Sequence, residues 1–125
     1  MEFGMGKKIL VADDSAAIRQ SVSFILEQDG HTVVQAADGA EALVKLKQDA
    51  YQMLITDVNM PNMDGIELVR QARQLDAYKF TPMVVLTTES QETKMSEGKA
   101  AGATGWIVKP FNAEKLLGVV KKLLG

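Results

Sequence analysis

Six residues stand where an apolar run gives way to polar chain: Asp13, Asp14, Asp57, Thr87, Thr88 and Lys109. Asp13-Asp14 ends the run Ile9-Leu10-Val11-Ala12, and Asp57 follows Met53-Leu54-Ile55-Thr56. Thr87-Thr88 closes the run from Met83, and Lys109 follows Trp106-Ile107-Val108. Three carboxylates gathered at one spot repel one another and raise each other's pKa unless a cation lies among them. With a carbonyl and waters they make a hard, oxygen-only site that suits Mg2+. A lysine adds fixed positive charge for a carboxylate or an incoming phosphoryl oxygen, and a threonine hydroxyl can donate to the same oxygen. A metal, a lysine and a hydroxyl around one aspartate are the parts phosphoryl transfer needs, since catalysis there is positioning and charge neutralisation. The aspartate can itself be the covalent acceptor.

Composition removes most other chemistry. The 125 residues contain no cysteine and one histidine, which excludes thiol catalysis, zinc–thiolate sites, iron–sulfur clusters and histidine-cluster metal centres. His31 follows Gly30 in a turn and is expected to do no chemistry. With 46% hydrophobic residues, 24% charged and a formal net charge of −2, the chain is globular and has no broad basic footprint for nucleic acid. No apolar run approaches the roughly 20 residues of a membrane span. Met1–Gly6 lacks the apolar core of a signal peptide, so the protein is expected in the cytoplasm. Met1–Gly4 precedes a second methionine and reads as a cloning remnant or an extended start. Residues 1–6 are therefore set aside as an extension, and residues 7–125 are read as one domain.

The candidate residues matter only if the chain brings them together. Short apolar runs alternate with amphipathic segments, predicting strands at Ile9–Ala12, Thr32–Ala36, Met53–Thr56, Met83–Thr87 and Trp106–Val108. Ser15 can cap a first helix with Ile18, Val22, Ile25 and Leu26 on one face. Asp38-Gly39 opens a second, lined by Ala42, Leu43 and Leu46. After the loop Asp57–Gly65, Ile66, Val69 and Arg73 mark a third, with Leu68, Ala72 and Leu75 flanking its apolar stripe. A polar fourth helix is predicted over Glu89–Ala101, closed by Gly102, and Leu116, Leu117, Val120 and Leu124 line a fifth.

Five strands alternating with five helices imply an α/β fold: a doubly wound (βα)5 parallel sheet with the flavodoxin-like order 2-1-3-4-5. Ligands of such sheets bind outside the carboxyl ends of the strands, near the switch point. Strands 1 and 3 are neighbours in that order, so Asp13, Asp14 and Asp57 converge, with a threonine and Lys109 along the same edge. Strand alternation sends Thr87 and Thr88 to opposite faces, so at most one reaches the site. Alone, Asp13-Asp14 would pass for a turn, where Asp is common. The coincidence with Asp57 and Lys109 favours a site.

Four stretches carry a family resemblance: Ile9–Ser15, Asp57–Gly65, Leu86–Glu89 and Gly105–Phe111. Together, and in this order, they resemble bacterial response-regulator receiver domains, specifically stand-alone chemotaxis regulators of the CheY type. The resemblance implies that Asp57 is the phosphoacceptor. It implies Mg2+ held by Asp13, Asp14, Asp57 and the backbone carbonyl of Asn59. Thr87 and Lys109 would contact the phosphoryl group, with a cis Lys109–Pro110 bond aiming the lysine inward. Asn59 and Glu89 would tune hydrolysis. Thr87 would move toward the phosphoryl group and Trp106, where the family has Tyr or Phe, would fill the vacated space. The face of the fourth helix, fifth strand and fifth helix would then change its affinity for a target.

The implied partners are a chemotaxis-type histidine kinase, the flagellar motor switch protein and a dedicated phosphatase. The implied state is a monomer that catalyses its own phosphorylation and dephosphorylation and turns over no outside substrate. A phosphorelay intermediate or phosphate sink without a motor target would share this chemistry. An FMN carrier needs hydroxyls and open N–H groups after the first strand, where this chain has two carboxylates. A phosphatase for outside substrates needs an enclosed pocket, and no lid segment is evident.

Overall fold

The computed structural model describes residues 6–88 and 92–124. Its strands are β1 (Lys8–Ala12), β2 (Thr32–Ala36), β3 (Met53–Asp57), β4 (Met83–Thr87) and β5 (Gly105–Val108). Its helices are α1 (Ala16–Gln28), α2 (Gly39–Gln48), α3 (Gly65–Arg73), α4 (Glu92–Ala101) and α5 (Ala113–Leu124). All strand pairs are parallel and the order is β2-β1-β3-β4-β5. This is the doubly wound sheet that the alternation of runs predicts.

The apolar runs are continuous because the central strands are buried on both faces. Ile9 and Val11 of β1 point to one layer, with Val22 and Leu26 of α1 and Leu116 and Val120 of α5. Leu10 and Ala12 point to the other, with Ala42 and Leu46 of α2 and Leu68, Val69 and Ala72 of α3. The same alternation puts Ile55, Leu86 and Ile107 on the α1–α5 side and Leu54, Val85 and Trp106 on the α2–α4 side.

Short polar caps fix where each helix begins, and so how far each loop can extend past its strand. The side chains of Ser15, Asp38 and Asp64 accept hydrogen bonds from the backbone N–H groups of Ile18, Glu41 and Glu67. Asn112 accepts from Lys115 N–H at the start of α5. The site residues at the ends of β1 and β3 therefore lie on short connections held at both ends.

The structure departs from the sequence expectation at particular points. Asp57 is the last residue of β3 and not the first of a loop, because it pairs with Leu86 and the next N–H, of Val58, donates to Leu86 O. A 3-10 turn at Asp76–Tyr78 was not predicted. Tyr78 is buried, with its hydroxyl 2.8 Å from Leu46 O and 2.6 Å from Asp49 O. Tertiary partners hold that turn, and they leave no local signal. Arg73 donates to Gly102 O and Tyr78 O, tying the end of α3 to the turn after α4. Glu89 and residues 1–5 lie outside the described residues.

Leu54 is fully buried in the central strand β3. Leu54→Ala is expected to lower stability by about 2–5 kcal/mol, the usual loss for a cavity of that size. Urea denaturation checks this as a lower midpoint at an unchanged m-value.

Candidate active site

Asp13 stands one residue past β1, and its N–H still donates to Ala36 O of β2. Its carboxylate oxygen Oδ1 accepts from Ser15 N–H at 2.9 Å, and its carbonyl accepts from Arg19 Nη1 at 2.6 Å. These bonds turn the chain sharply and hold the Asp13 side chain at zero exposure, while Asp14 stays exposed. Asp57, at the end of the neighbouring strand β3, is 7% exposed. One carboxylate oxygen from each of Asp13, Asp14 and Asp57 can be chosen so that all three lie within 4.8 Å of one another.

Lys109 reaches this cluster from β5, two strands beyond β3. Its N–H donates to Thr87 O at 2.7 Å, which extends the β4–β5 ladder, and its peptide bond to Pro110 is cis. Its ammonium lies 3.1 Å from Asp13 Oδ2 and 3.1 Å from Asp57 Oδ1. Three carboxylates against one ammonium leave a surplus of negative charge. Burial raises the Asp57 pKa, and the nearby Asp13 charge adds to the rise against the opposing pull of Lys109. Burial also works against the Lys109 ammonium, but its bonds to Asp57 and Asp13 outweigh that effect and leave its pKa raised. A small hard cation would relieve the surplus. The donor set is all carboxylate oxygen with one member exposed, which fits a partly hydrated Mg2+ better than a thiophilic metal.

The remaining sequence candidates divide by position. Thr87 is fully buried at the end of β4, and Thr88 is exposed. Asn59 is exposed two residues after Asp57. Thr87 and Trp106 belong to the same face of neighbouring strands: Val85 pairs with Trp106, and Thr87 with Val108. Trp106 is half-buried, packs on the α2–α4 core, and its indole N–H is buried with no hydrogen-bond partner among the described residues. It borders a groove of about 540 Å3 together with Met95, Lys99 and Ala103.

Three positions went unrecognised in the sequence. A Cβ on Gly65 would lie 1.9 Å from Asp57 O, so only glycine lets α3 start this close to β3. The Thr56 hydroxyl donates to that same carbonyl at 3.0 Å. A Cβ on Gly98, in α4, would lie 2.8 Å from Trp106 Cζ3. The available signal for Gly98 was a glycine inside a helix, where it costs about 1 kcal/mol relative to Ala and so implies another use.

The model of the response regulator receiver domain family matches residues 9–121. Transcriptional regulatory protein ResD of Bacillus subtilis is 38% identical over 94% of this chain and 48% of its own length, so the chain spans about half of that relative. Chemotaxis protein CheY of Pseudomonas aeruginosa is 36% identical over 93% of this chain and 94% of its own. The structure of chemotaxis response regulator CheY4 of Vibrio cholerae matches at a TM-score of 0.92 and 50% identity, covering 95% of this chain and 99% of that one. The chain belongs to the response regulator receiver domain family of two-component signalling.

Proposed function

We propose that this protein is a phosphorylation-driven switch that accepts a phosphoryl group on Asp57 from a chemotaxis-type histidine kinase. The observation that carries the proposal is Lys109 held between buried Asp13 and Asp57 beside exposed Asp14. A carboxylate oxygen of Asp57 attacks phosphorus, the bond from phosphorus to the donor nitrogen breaks, and its electron pair stays on the donor imidazole. Hydrolysis reverses the load: a water oxygen attacks phosphorus, the bond to Asp57 breaks, and inorganic phosphate leaves with the carboxylate restored. Asp13, Asp14, Asp57 and the Asn59 carbonyl would hold Mg2+, which when bound neutralises phosphoryl oxygens. Lys109 supplies a second positive charge from between Asp13 and Asp57, and Thr87 would donate a hydrogen bond to a phosphoryl oxygen. Asn59 and Glu89 tune the rate of hydrolysis.

The output follows from the shared face of Thr87 and Trp106. Movement of Thr87 toward the phosphoryl group frees space beneath α4, and the Trp106 ring shifts into it. The α4–β5–α5 face then changes affinity for its target, proposed to be the flagellar motor switch. The chain works as one domain over residues 7–125, as a cytoplasmic monomer served by a dedicated phosphatase. The chemotaxis assignment is supported by relatives that match over nearly their whole length.

Incubation with Mg2+ and acetyl phosphate should add one labile phosphoryl group, read by intact mass and absent in Asp57→Asn. No modification of the wild type would overturn the proposal. Lys109→Ala is expected to slow labelling by about 100-fold, the usual effect of losing one preorganised charge contact. The raised Asp57 pKa also gives a stability prediction without Mg2+. The proton is bound more tightly in the folded state, so that stabilisation is present below the unfolded pKa and lost as pH rises through the folded one. Asp57→Asn removes the penalty. Its urea midpoint should exceed wild type at pH 7, with the gap closing in acid and on adding Mg2+. Trp106 emission should change on phosphorylation, and Gly98→Ala should shift emission of the unphosphorylated protein by displacing the ring. Binding of the motor switch protein should rise with phosphorylation, and unchanged binding would leave a phosphorelay intermediate or a phosphate sink as the role.

A further inference from the structure

The loop that follows the acceptor, residues 58–64, packs Met60 and Met63 on the core and is fastened by hydrogen bonds at its base and its tip. At its base, Gly65 N–H donates to Val58 O at 2.8 Å, closing the loop on itself. At its tip, Asn62 takes a positive φ of 70° and its Nδ2 donates to Asp38 Oδ2 at 2.8 Å. Asn is the residue that best tolerates that conformation after glycine. Asp38 is also the N-cap of α2: its other oxygen accepts from Glu41 N–H at 2.8 Å. The Glu41 carboxylate in turn accepts from Ala37 N–H at 2.7 Å, which braces the anchor from the residue before the cap.

A second contact arises independently of these side chains. Gly39, buried at the start of α2, lies under the Met63 backbone, where a Cβ would come 2.3 Å from Met63 O. The loop tip and the α2 terminus thus meet both by hydrogen bond and by backbone packing. In the sheet order the β2–α2 and β3–α3 connections flank the β1–α1 connection that carries Asp13 and Asp14. The join therefore links the two sides of the acidic cluster, and Asn59 lies between the two attachments of its loop.

We propose that Asp38 and Asn62 are positioning residues that clasp the acceptor loop to α2 and hold the Asn59 carbonyl in place for Mg2+. This rests on the assignment of the acidic cluster as a Mg2+ site. A clasped loop loses little conformational freedom when it takes up the ion. A released loop must be ordered by the ion itself, and binding weakens accordingly.

Asp38→Ser and Asn62→Gly separate this role from stability. Serine keeps the helix cap but is too short to reach Asn62. Glycine accepts the positive φ and removes only the amide. Thermal unfolding of the full chain would be followed across a MgCl2 titration, where the ion stabilises the fold by mass action. Without Mg2+, both variants should melt within about 4 °C of wild type. The Mg2+ concentration for half-maximal stabilisation should rise roughly three- to tenfold in each, at or below the loss typical for groups that orient metal ligands. An unchanged Mg2+ dependence in both, or a rise in only one, overturns the clasp while leaving the receiver site standing. Should Asp38→Ser fail to fold, Asn62→Gly decides alone, because its α2 cap is intact. A wild type that gains no stability from Mg2+ overturns the site and the clasp together.

Discussion

Placing one carboxylate at zero exposure beside another that is nearly buried is costly, because each charge loses hydration and repels the other. Lys109 makes the arrangement tenable, with its ammonium 3.1 Å from both Asp13 and Asp57. The lysine comes from β5, and its partners lie on β1 and β3, so the contact spans the end of β4. Strand order, the turn after β1 and the path of the chain past β5 all have to agree for that contact to form. One lysine does not balance three carboxylates. The residual charge is what makes the edge receptive to a divalent cation.

Close backbone approaches then set the shape of the site. Gly65 lets α3 begin against the carbonyl of Asp57, and Gly39 lets the loop after β3 rest on α2. A side chain at either place would need the backbone to move, because the clashing atoms are carbonyl oxygens and not flexible side-chain ends. These glycines do little for local helix propensity. They allow two helices to start close to the strand ends, and that proximity positions the loop residues.

On the α2–α4 face the same logic connects the site to the surface. Thr87 and Trp106 project from neighbouring strands into one layer, and Trp106 rests on Gly98 of α4. The buried indole N–H of Trp106 finds no hydrogen-bond partner among the described residues, which costs free energy. Arg73, donating to Gly102 O, holds the far end of α4 to α3. The helix is thus tied at its C-terminal end while its surface-facing groove is bordered by the tryptophan.

The sequence by itself determined the sheet and the residues at its functional edge. Continuous apolar runs can be buried only between two helical layers, and right-handed crossovers leave one favoured order for five such units. The residues at or just past the ends of β1, β3, β4 and β5 could therefore be named from position, with the family resemblance choosing Thr87 over Thr88, and so could the helix starts at Ser15 and Asp38. Tertiary structure decided what no local pattern encodes. The 3-10 turn at Tyr78 depends on carbonyls about thirty residues away in α2 and the connection after it. The seat of Trp106 on Gly98, the approach of Gly65 to Asp57 and the Asn62–Asp38 bond join segments that are distant or differently oriented along the chain. Periodicity reports which face of an element is apolar, because burial averages over many neighbours. It does not report which single atoms touch, because that depends on where separate elements come to rest against one another.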